Sequence, residues 1–467
     1  MSKIPDWALK WRTKGVEIRD YGGRYYAYEV TSKYDKEKKR ARKITGDYLG
    51  VVTRGGIVKK KTIMGISGDY EYGNVALLYG IAEKTVLPIL REVYPYMYER
   101  IIVYSILRVI NPLPIKSVRY EYEKTYLSKA SDESMSPSSI SGMLSSLPMD
   151  SSTEVMRRMT EKGEYVLMDS TAVFSRSVNI SILEIGHNPR EIHIPQINLM
   201  MLFSSSRTMP TFIRIIPGSI RDITAMSATI EMAGVEKCVV IVDRGFFSNN
   251  NIKKLKSKHL SYIVPLKRNS SLIRNSSLIP EESEFSGVFM YDGRPVKFWY
   301  QSNGVFTFED PVLRMEEEKD YLERVRDGKR SRRSFTSDSV NFGRIYLLSD
   351  LNEKPERVYN LYKQREYVEY AFNVFKNDLE ADRSYLRDDK MLFTWMFLNL
   401  LSLHFHFQIL NMMDKMDGKY SVRDILLILS RIKIYSFGSQ EILSERPKKA
   451  NELVSDLKID LNILRRN

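Results

Sequence analysis

Residues 164–173 read EYVLMDSTAV, a short apolar run that carries an aspartate, Asp169. Four further apolar runs follow it, and helical patterns separate the later ones. Near-continuous apolar runs of this length are typical of strands that are buried on both faces of a sheet. The stretch therefore predicts an α/β fold with a central sheet flanked by helices. The four runs are PQINLMMLFS (195–204), TFIRIIPG (211–218), KCVVIVDRG (237–245) and SYIVPLKR (261–268).

The segment from 268 to 342 interrupts this pattern. Asp292-Gly293 and Asn303-Gly304 are strong signals for tight hairpin turns, so a three-stranded β-rich insertion is predicted here. Three further elements are expected: a charged helix at about 311–329, a buried strand at 343–350 and a long helix from about 356 to 383.

The N-terminal part has a different composition. Residues 24–54 contain two runs rich in aromatic and β-branched residues, which predict a β-hairpin. The stretch between them, KYDKEKKRARK (33–43), is strongly basic. Helical periodicity follows over residues 77–127. In the serine-rich stretch after it, Ser136 and Pro137 form a favoured pair for starting a helix.

The positive charge is concentrated near the N-terminus. The chain has 72 basic and 58 acidic residues, which gives a net charge of +14. Residues 1–66 hold 17 of the basic and 7 of the acidic residues, so ten of the fourteen net charges lie there (17 − 7). A basic lobe favours a polyanion such as DNA as the partner, because each neutralised phosphate releases condensed counterions.

These patterns divide the chain into six predicted regions. They are a basic β-rich DNA-binding region (1–66), a helical region (67–160), a first part of the α/β core (161–267), the β-rich insertion (268–342), a second core part with the long helix (343–415) and a C-terminal helical tail (416–467).

Two of the apolar runs lead to an aspartate, Asp169 in VLMDST and Asp243 in VVIVDRG. One aspartate at the end of a strand is weak evidence for a site, because it usually caps a turn or the next helix. Assigning the two aspartates to a functional site therefore needs evidence from another part of the chain.

The long predicted helix supplies that support through Tyr362, Arg365, Glu369 and Lys376, which follow the spacing Y-x2-R-x3-E-x6-K. At about 100° per residue these four side chains fall within one narrow arc beside an apolar stripe. A surface row of charges would explain Arg365 and Glu369 as an ordinary i,i+4 pair. It would not explain Tyr362 or Lys376.

This spacing and the two aspartates resemble the insertion-sequence transposases of the DDE, ribonuclease-H-like superfamily, in the branch with a β-rich insertion before the Glu. VLMDST, IIPGSIRD (215–222) and VDRGFFS (242–248) stand in the family's order, and the resemblance covers roughly residues 70–410. Ser219 departs from the Asn that is common at its position. The resemblance implies a ribonuclease-H-like catalytic core, a mixed sheet flanked by helices, that the insertion interrupts.

The resemblance also implies the reaction. Asp169, Asp243 and Glu369 would be the catalytic and metal-binding residues, and an all-oxygen set of this kind suits Mg²⁺ or Mn²⁺. Two ions per active site would be used, with Asp169 bridging them and the other two carboxylates each holding one. The protein would cleave DNA at the element's ends and join the freed 3′-OH to target DNA.

Several residues are expected to contact DNA. By the resemblance, Tyr362, Arg365 and Lys376 bind phosphates of the transposon end. The basic hairpin adds a phosphate-binding set, and Trp299 in the insertion is the candidate to receive a base that leaves the stack during a hairpin intermediate. The other reading of Trp299 is packing within the insertion's own small core. The basic set is Lys38, Lys39 and Arg40. The expected partners are transposon-end and target DNA and, in a synaptic complex, a second copy of the chain.

Three alternatives stay open. The first is a nuclease or resolvase of the same fold that cuts DNA without joining strands. The second is a domesticated, non-catalytic DNA-binding protein. The third is a helical membrane protein, suggested only by residues 391–410, whose polar and histidine residues favour a buried core helix instead.

Cysteine usage and the N-terminus bear on the compartment. Cys238 is the only cysteine, which excludes an internal disulfide and a cysteine-based zinc site. No apolar signal region opens the chain, so a cytoplasmic, nucleoid-associated location is expected, with no membrane partner.

Overall fold

The structure is a computed structural model with two compact units. One unit is Met1–Gly68 with Ser436–Ile442, and the other is Asp69–Tyr435 with Leu443–Asn467. The residues described are 4–35, 39–59, 66–161, 165–175, 177–186, 194–220, 223–241, 248–268, 270–274, 284–300, 304–381, 386, 388–413 and 420–465.

The first unit is built on an antiparallel sheet with the strand order β1-β2-β3-β4. Its elements are α1 (Asp6–Leu9), β1 (Val16–Tyr21), β2 (Arg24–Asp35), β3 (Arg40–Thr53) and β4 (Gly56–Val58). Gly22 and Gly23 join β1 to β2, and both have a positive φ (65° and 84°), which a tight turn between antiparallel strands requires. The predicted hairpin is present as β2 and β3, and β1 and β4 extend it to four strands.

The second unit begins with a helical region, as predicted. Ser136 caps α7 by accepting a hydrogen bond from the Ser139 backbone N–H, so the predicted start of that helix is confirmed. The elements are β5 (Gly68–Glu71), α2 (Gly73–Lys84), α3 (Leu87–Val93), α4 (Tyr98–Ile110), a 3₁₀ turn (Ile115–Ser117), α5 (Val118–Lys124), α6 (Leu127–Ala130), α7 (Pro137–Ser146) and α8 (Met149–Met159).

A nine-stranded mixed sheet forms the centre of the second unit, in the order β11-β12-β13-β14-β10-β9-β6-β7-β8. β6 and β9 are parallel, as are β9 and β10, and the remaining neighbours are antiparallel. Every residue of β7 is buried, as expected for a strand covered on both faces. The strands are β6 (Tyr165–Phe174), β7 (Gln196–Ser204), β8 (Met209–Pro217), β9 (Lys237–Ile241), β10 (Ser261–Pro265), β11 (Gly287–Tyr291), β12 (Arg294–Tyr300), β13 (Val305–Glu309) and β14 (Arg344–Ser349).

Three strands, β11 to β13, occupy the segment where an insertion was predicted. Asp292 and Gly293 form the turn between β11 and β12, and both have a positive φ (47° and 73°). β13 pairs with β14, so these strands continue the central sheet at one edge. Asn303 lies outside the described residues.

The helices around the sheet differ from the sequence prediction at one important place. The long helix predicted from about 356 to 383 is present but shorter and less regular: α14 (Pro355–Lys363) is followed by Gln364, whose backbone stays in the right-handed helical region (φ −63°, ψ −12°), then by α15 (Arg365–Asn373), and a π-helical turn (Val374–Asp378) ends the segment. The other helices are α9 (Ile223–Ala233), α10 (Asn249–Ser257), α11 (Ser271–Arg274), α12 (Pro311–Arg326), a 3₁₀ turn (Arg332–Ser334), α13 (Phe335–Ser339), α16 (Asp389–Met413), α17 (Val422–Leu429) and α18 (Lys448–Asp456).

The C-terminal tail is not purely helical. Two strands, β15 (Lys433–Phe437) and β16 (Gln440–Leu443), lie between α17 and α18 and form a small sheet with β5. The hydrophobic periodicity of a helix and that of a short buried strand are hard to tell apart over five residues, which is why the prediction missed them.

The apolar segment 391–410 lies within α16, and most of its side chains are buried in the core of the second unit. His404 and His406 are among them, and burial lowers the pKa of each imidazole to about 4. In the part of the chain that the structure describes, no single helix is long and apolar enough to cross a membrane. One bent pair, Tyr98–Ile110 with Ile115–Lys124, passes that test by length and composition alone.

Candidate active site

β6 is an interior strand whose side chains change from buried to partly exposed at Asp169. The preceding residues, from Val166 to Met168, are buried, and they fix the strand within the core. The Asp169 carboxylate oxygen Oδ1 accepts a hydrogen bond from the Ser170 backbone N–H at 2.7 Å. A carboxylate therefore projects from a firmly held strand to a partly open surface.

β9 runs parallel to β6 and is the strand that leads to the second predicted aspartate. Met168 on β6 is aligned with Val240 on β9, and β9 ends at Ile241. Asp169 thus lies one residue past the last aligned pair. Asp243 itself lies outside the described residues.

Glu369 is carried by α15. Its carboxylate forms an i,i+4 ion pair with Arg365 at 2.9 Å, and its side chain is 55% exposed, whereas the Arg365 side chain is largely buried. A solvent-exposed pair of this kind is worth only about 0.3–0.5 kcal/mol. The carboxylate of Glu369 is therefore held lightly and stays accessible to a ligand.

Lys376 connects the Glu-bearing segment to the strand of Asp169. Its ammonium Nζ donates a hydrogen bond to the Thr171 hydroxyl at 2.5 Å. Because side chains alternate along a strand, Thr171 and Asp169 lie on the same face of β6. The contact therefore places the π-helical turn above the sheet face from which Asp169 projects. Sequence analysis missed Thr171, although its position two residues after Asp169 was a usable signal.

The common arc predicted for Tyr362, Arg365, Glu369 and Lys376 assumed one regular α-helix. The π-helical turn changes the helical phase, so the predicted angle for Lys376 does not apply. Tyr362 packs, partly buried, against the main hydrophobic core. Glu369 is exposed, and Lys376 reaches β6 from the π-helical turn.

Polar contacts fix the junction at Gln364 to the loop after β7. The Gln364 side-chain amide donates to the Ser205 carbonyl at 3.1 Å, and Arg357 donates to the Ser205 hydroxyl at 3.4 Å. These contacts hold the junction of α14 and α15 at the end of a fully buried strand. They set the start of the helix that carries Glu369.

A buried carboxylate, Asp310, anchors α14 to the edge strands. It is 1% exposed and accepts hydrogen bonds from the Tyr359 hydroxyl at 2.8 Å and from two nitrogens of Arg294 at 3.0 and 3.1 Å. Burial raises the pKa of Asp310, but the hydrogen bonds from Tyr359 and Arg294 outweigh it and leave the pKa lowered. Burial, with the hydrogen bond to Asp310, raises the pKa of Tyr359.

Arg108 on α4 holds the other end of the segment that carries Glu369. This buried guanidinium donates to the Leu379 carbonyl, which follows the π-helical turn, and to the Asn399 side chain at 2.9 Å. It also lies over the Trp395 ring at 4.2 Å. A cation at the carboxyl end of a helical segment offsets the unpaired carbonyls there. The segment is thus fixed at both ends.

A metal ion bound here would need ligand atoms from the side chains of the strands and helices described above. Among the described residues no group of three or more His, Cys, Asp or Glu side chains is close enough together to hold an ion. Asp243 is not among those residues. The two described members, Asp169 and Glu369, offer only oxygen donors, and both are at least partly exposed, which fits a hard divalent cation.

The other predicted DNA contacts lie in different places. Lys39 and Arg40 are exposed at the turn that joins β2 to β3, and Lys39 has a φ of 48° there. Lys38 lies outside the described residues. Trp299 on β12 is only 4% exposed. It is therefore covered by protein and not open to a base.

The chain matches one described family of known proteins. A family model described as a transposase DDE domain matches residues 160–405. Among solved structures, the chain is similar to a piggyBac transposase synaptic complex with hairpin DNA, determined by cryo-EM. That similarity has a TM-score of 0.38 and 11% sequence identity, and it covers 77% of this chain and 79% of the other. No curated protein matches the chain.

Proposed function

This chain belongs to the transposase DDE domain family, and from that premise we propose that it is a transposase that acts at the ends of an insertion sequence. It binds the terminal inverted repeats, cleaves the DNA at the element's ends and transfers the 3′-OH ends to target DNA. The family match supports transposase activity in general. The assignment of individual residues rests on the geometry of this chain.

The topology supports a ribonuclease-H-like core. Three antiparallel strands in the order β8-β7-β6 are followed by β9 and β10, which run parallel to β6. In open sheets, ligands bind beyond the carboxyl ends of such parallel strands. In our proposal β6 and β9 carry Asp169 and Asp243 to that edge, and β11 to β13 form the β-rich insertion at the far side of the sheet.

The single observation that carries the proposed site is the Lys376–Thr171 hydrogen bond. It ties the segment that bears Glu369 to the face of β6 that bears Asp169. In a surface helix with an ordinary row of charges, the lysine would face solvent and would not contact a strand of the core. We assign Asp169 and Glu369 as catalytic carboxylates on this basis, and Asp243 as the third by the family resemblance of its sequence motif.

These carboxylates would hold two Mg²⁺ or Mn²⁺ ions, which when bound activate water or a 3′-OH and stabilise the leaving oxygen. The protein's own part is to position the DNA backbone. Arg365 offers a planar fork for a phosphate and Lys376 a point charge. Tyr362, which precedes them on α14, is assigned to the same phosphate-binding set. A protein dimer that holds two DNA ends together and a cytoplasmic, nucleoid-associated location remain part of the proposal.

The test is a cleavage and strand-transfer assay on DNA that contains the flanking inverted repeats, with and without Mg²⁺. Metal-dependent nicking at the ends, followed by joining to a target plasmid, is the expected result. Cleavage without joining would instead identify a nuclease or resolvase. Binding without cleavage under any divalent metal would identify a non-catalytic DNA-binding protein.

The basic turn near the N-terminus gives a prediction about salt. Replacing Lys38, Lys39 and Arg40 with alanine should flatten the salt dependence of duplex binding, because each lost phosphate contact lowers the slope of log K against log salt by about 0.9. Binding would be measured by fluorescence anisotropy over a salt series. The matched control is Lys84→Ala in α2, a basic residue of the other unit, which should leave the slope unchanged. An unchanged slope in the triple variant would mean that this turn is only a solvated surface.

Trp299 gives a prediction about a hairpin intermediate. Since the ring is 4% exposed, it can receive a flipped base only if the residues that cover it move aside. With that role, Trp299→Ala should leave first-strand nicking intact and lower hairpin formation or resolution by roughly 5- to 150-fold. Equal loss of all steps together with a lower melting temperature would show that the indole serves only to pack the edge strands.

A further inference from the structure

The sheet of the first unit carries tyrosines on its outer face. Tyr21 on β1, Tyr26 and Tyr28 on β2, and Tyr48 on β3 form a continuous row, called here the tyrosine face. Neighbouring rings contact each other, with centroids 5.7 Å apart for Tyr21 and Tyr26, 6.2 Å for Tyr26 and Tyr48, and 5.5 Å for Tyr28 and Tyr48. Three adjacent strands contribute to it.

The tyrosine face is not the core of this unit. The core lies on the opposite face, where Ile18, Ala27 and Val52 are buried together with Ala8 of the short helix α1. Side chains alternate along β1 and β2, so Tyr26 and Tyr28 flank Ala27 and point away from it. Tyr21 is 56% exposed and Tyr48 is 36% exposed. Tyr26 and Tyr28 are partly exposed, so all four rings reach the surface of this face.

Basic side chains border the tyrosine face. The Arg19 guanidinium lies over the Tyr28 ring at 4.9 Å and donates to the Thr45 hydroxyl at 2.6 Å. Glu17 pairs with both Arg19 and Lys43, so part of this charge is compensated. The strands β2 and β3 then extend beyond the rings as a ribbon with exposed cations, of which Arg42 is one.

Cross-strand contacts between aromatic rings stabilise a sheet, and that role accounts for the Tyr28–Tyr48 pair. It does not account for Tyr21, which is on an edge strand and more than half exposed. An open row of aromatic rings beside a cationic ribbon is the arrangement that binds single-stranded nucleic acid, with bases stacked on rings and phosphates near cations. In a duplex the faces of the bases are covered by their neighbours.

We propose that the tyrosine face binds unpaired bases of single-stranded DNA. The inference rests on the proposed function only in assuming that the bound nucleic acid is DNA. It adds a ligand class, unpaired bases, to a unit that the sequence analysis assigned to phosphate contacts alone. Bases stack on both Tyr26 and Tyr28, while the backbone follows the cations of the β2–β3 ribbon.

The test uses the full chain and a fluorescein-labelled oligothymidylate of about 16 nucleotides, with anisotropy measured between about 50 and 200 mM salt. Tyr26→Leu with Tyr28→Leu removes two rings and keeps apolar side chains. The expected result is a Kd for the oligothymidylate at least about 25-fold higher, since each ring contributes roughly 5- to 150-fold. The slope against log salt should stay the same, because stacking releases no counterions.

The matched variant, Tyr26→Phe with Tyr28→Phe, keeps the rings and should bind like the wild type. Tyr96→Leu, an exposed tyrosine of the other unit, is the second control. If the double leucine variant loses its β-sheet circular dichroism, Tyr21→Ala replaces it, since that side chain lies outside the core. Wild-type affinity in the folded double leucine variant, or no binding of oligothymidylate by the wild type, would overturn the inference.

Failure of this inference is distinguishable from failure of the proposed function. Metal-dependent cleavage of a duplex end reports on the transposase assignment, and oligothymidylate binding in the absence of metal reports on the tyrosine face. A protein that cleaves but does not bind the oligothymidylate refutes only the second. A protein that binds it in a ring-dependent way but never cleaves refutes only the first.

Discussion

Replacing Asp169 with asparagine, or Glu369 with glutamine, is expected to abolish DNA cleavage and to leave DNA binding nearly unchanged. Each change keeps the volume of the side chain and removes the negative charge that a divalent cation requires. Loss of metal-assisted stabilisation costs several kcal/mol in the transition state, so the rate should fall at least about a thousandfold. Asp243→Asn should have the same effect.

Cleavage would be followed on a labelled transposon-end substrate with Mg²⁺ and, separately, with a chelator, while binding is measured in Ca²⁺ by gel shift. Glu366→Gln is the matched control. It also lies on α15, is exposed and pairs with Lys363 at 2.8 Å, so its loss should leave the rate within a factor of about two.

The Glu369 result also decides between two roles for its contact with Arg365. A simple i,i+4 pair on an exposed helix would make Glu369→Gln almost silent, because such pairs contribute only a few tenths of a kcal/mol. A silent Glu369→Gln next to an inactive Asp169→Asn would remove Glu369 from the site and direct attention to other carboxylates near β6.

The central strands could be predicted because their residues are nearly all apolar. β7 is buried along its whole length, and its continuous apolar run from Leu199 to Phe203 cannot be confused with a surface element. The edge strands β11 to β13 were also predicted, through the Asp-Gly turn. Their continuity with β14 could not be, because pairing between strands separated by a long helix leaves no local signal.

The site was only partly visible in the sequence. The strand context of Asp169 and the spacing around Glu369 were read from local patterns, and both are present on packed elements. The junction at Gln364 and the π-helical turn depend on tertiary contacts, with Ser205 at one end and Arg108 at the other. A helical wheel assumes a constant phase, so it could not predict which residue would reach Thr171.

Among residues outside the proposed site, Asp310 is the one whose loss we expect to lower the free energy of unfolding most. Asp310→Ala removes the acceptor for Tyr359 and Arg294 and the cap of α12, where the carboxylate accepts from the backbone N–H groups of Val312 and Leu313. Truncating one partner of a buried pair and losing a helix cap together cost about 3 kcal/mol, since Arg294 is partly exposed and recovers some hydration. The melting transition of the second unit should fall by several degrees.

The pH dependence of that loss follows from the pKa of Asp310, which is lowered in the folded protein from an ordinary value of 3.8. A lowered pKa stabilises the fold fully above the ordinary value, and the contribution disappears as the pH falls through the folded value. The difference in stability between the wild type and Asp310→Asn should therefore be constant above about pH 5 and shrink below pH 4.

Asp292→Asn is the control, because Asp292 also pairs with Arg294, at 3.2 Å, but is exposed. It should change the free energy of unfolding by less than about 0.5 kcal/mol at every pH. A difference between wild type and Asp310→Asn that did not vary between pH 3 and pH 7 would show that the pKa of Asp310 is not lowered in the folded protein.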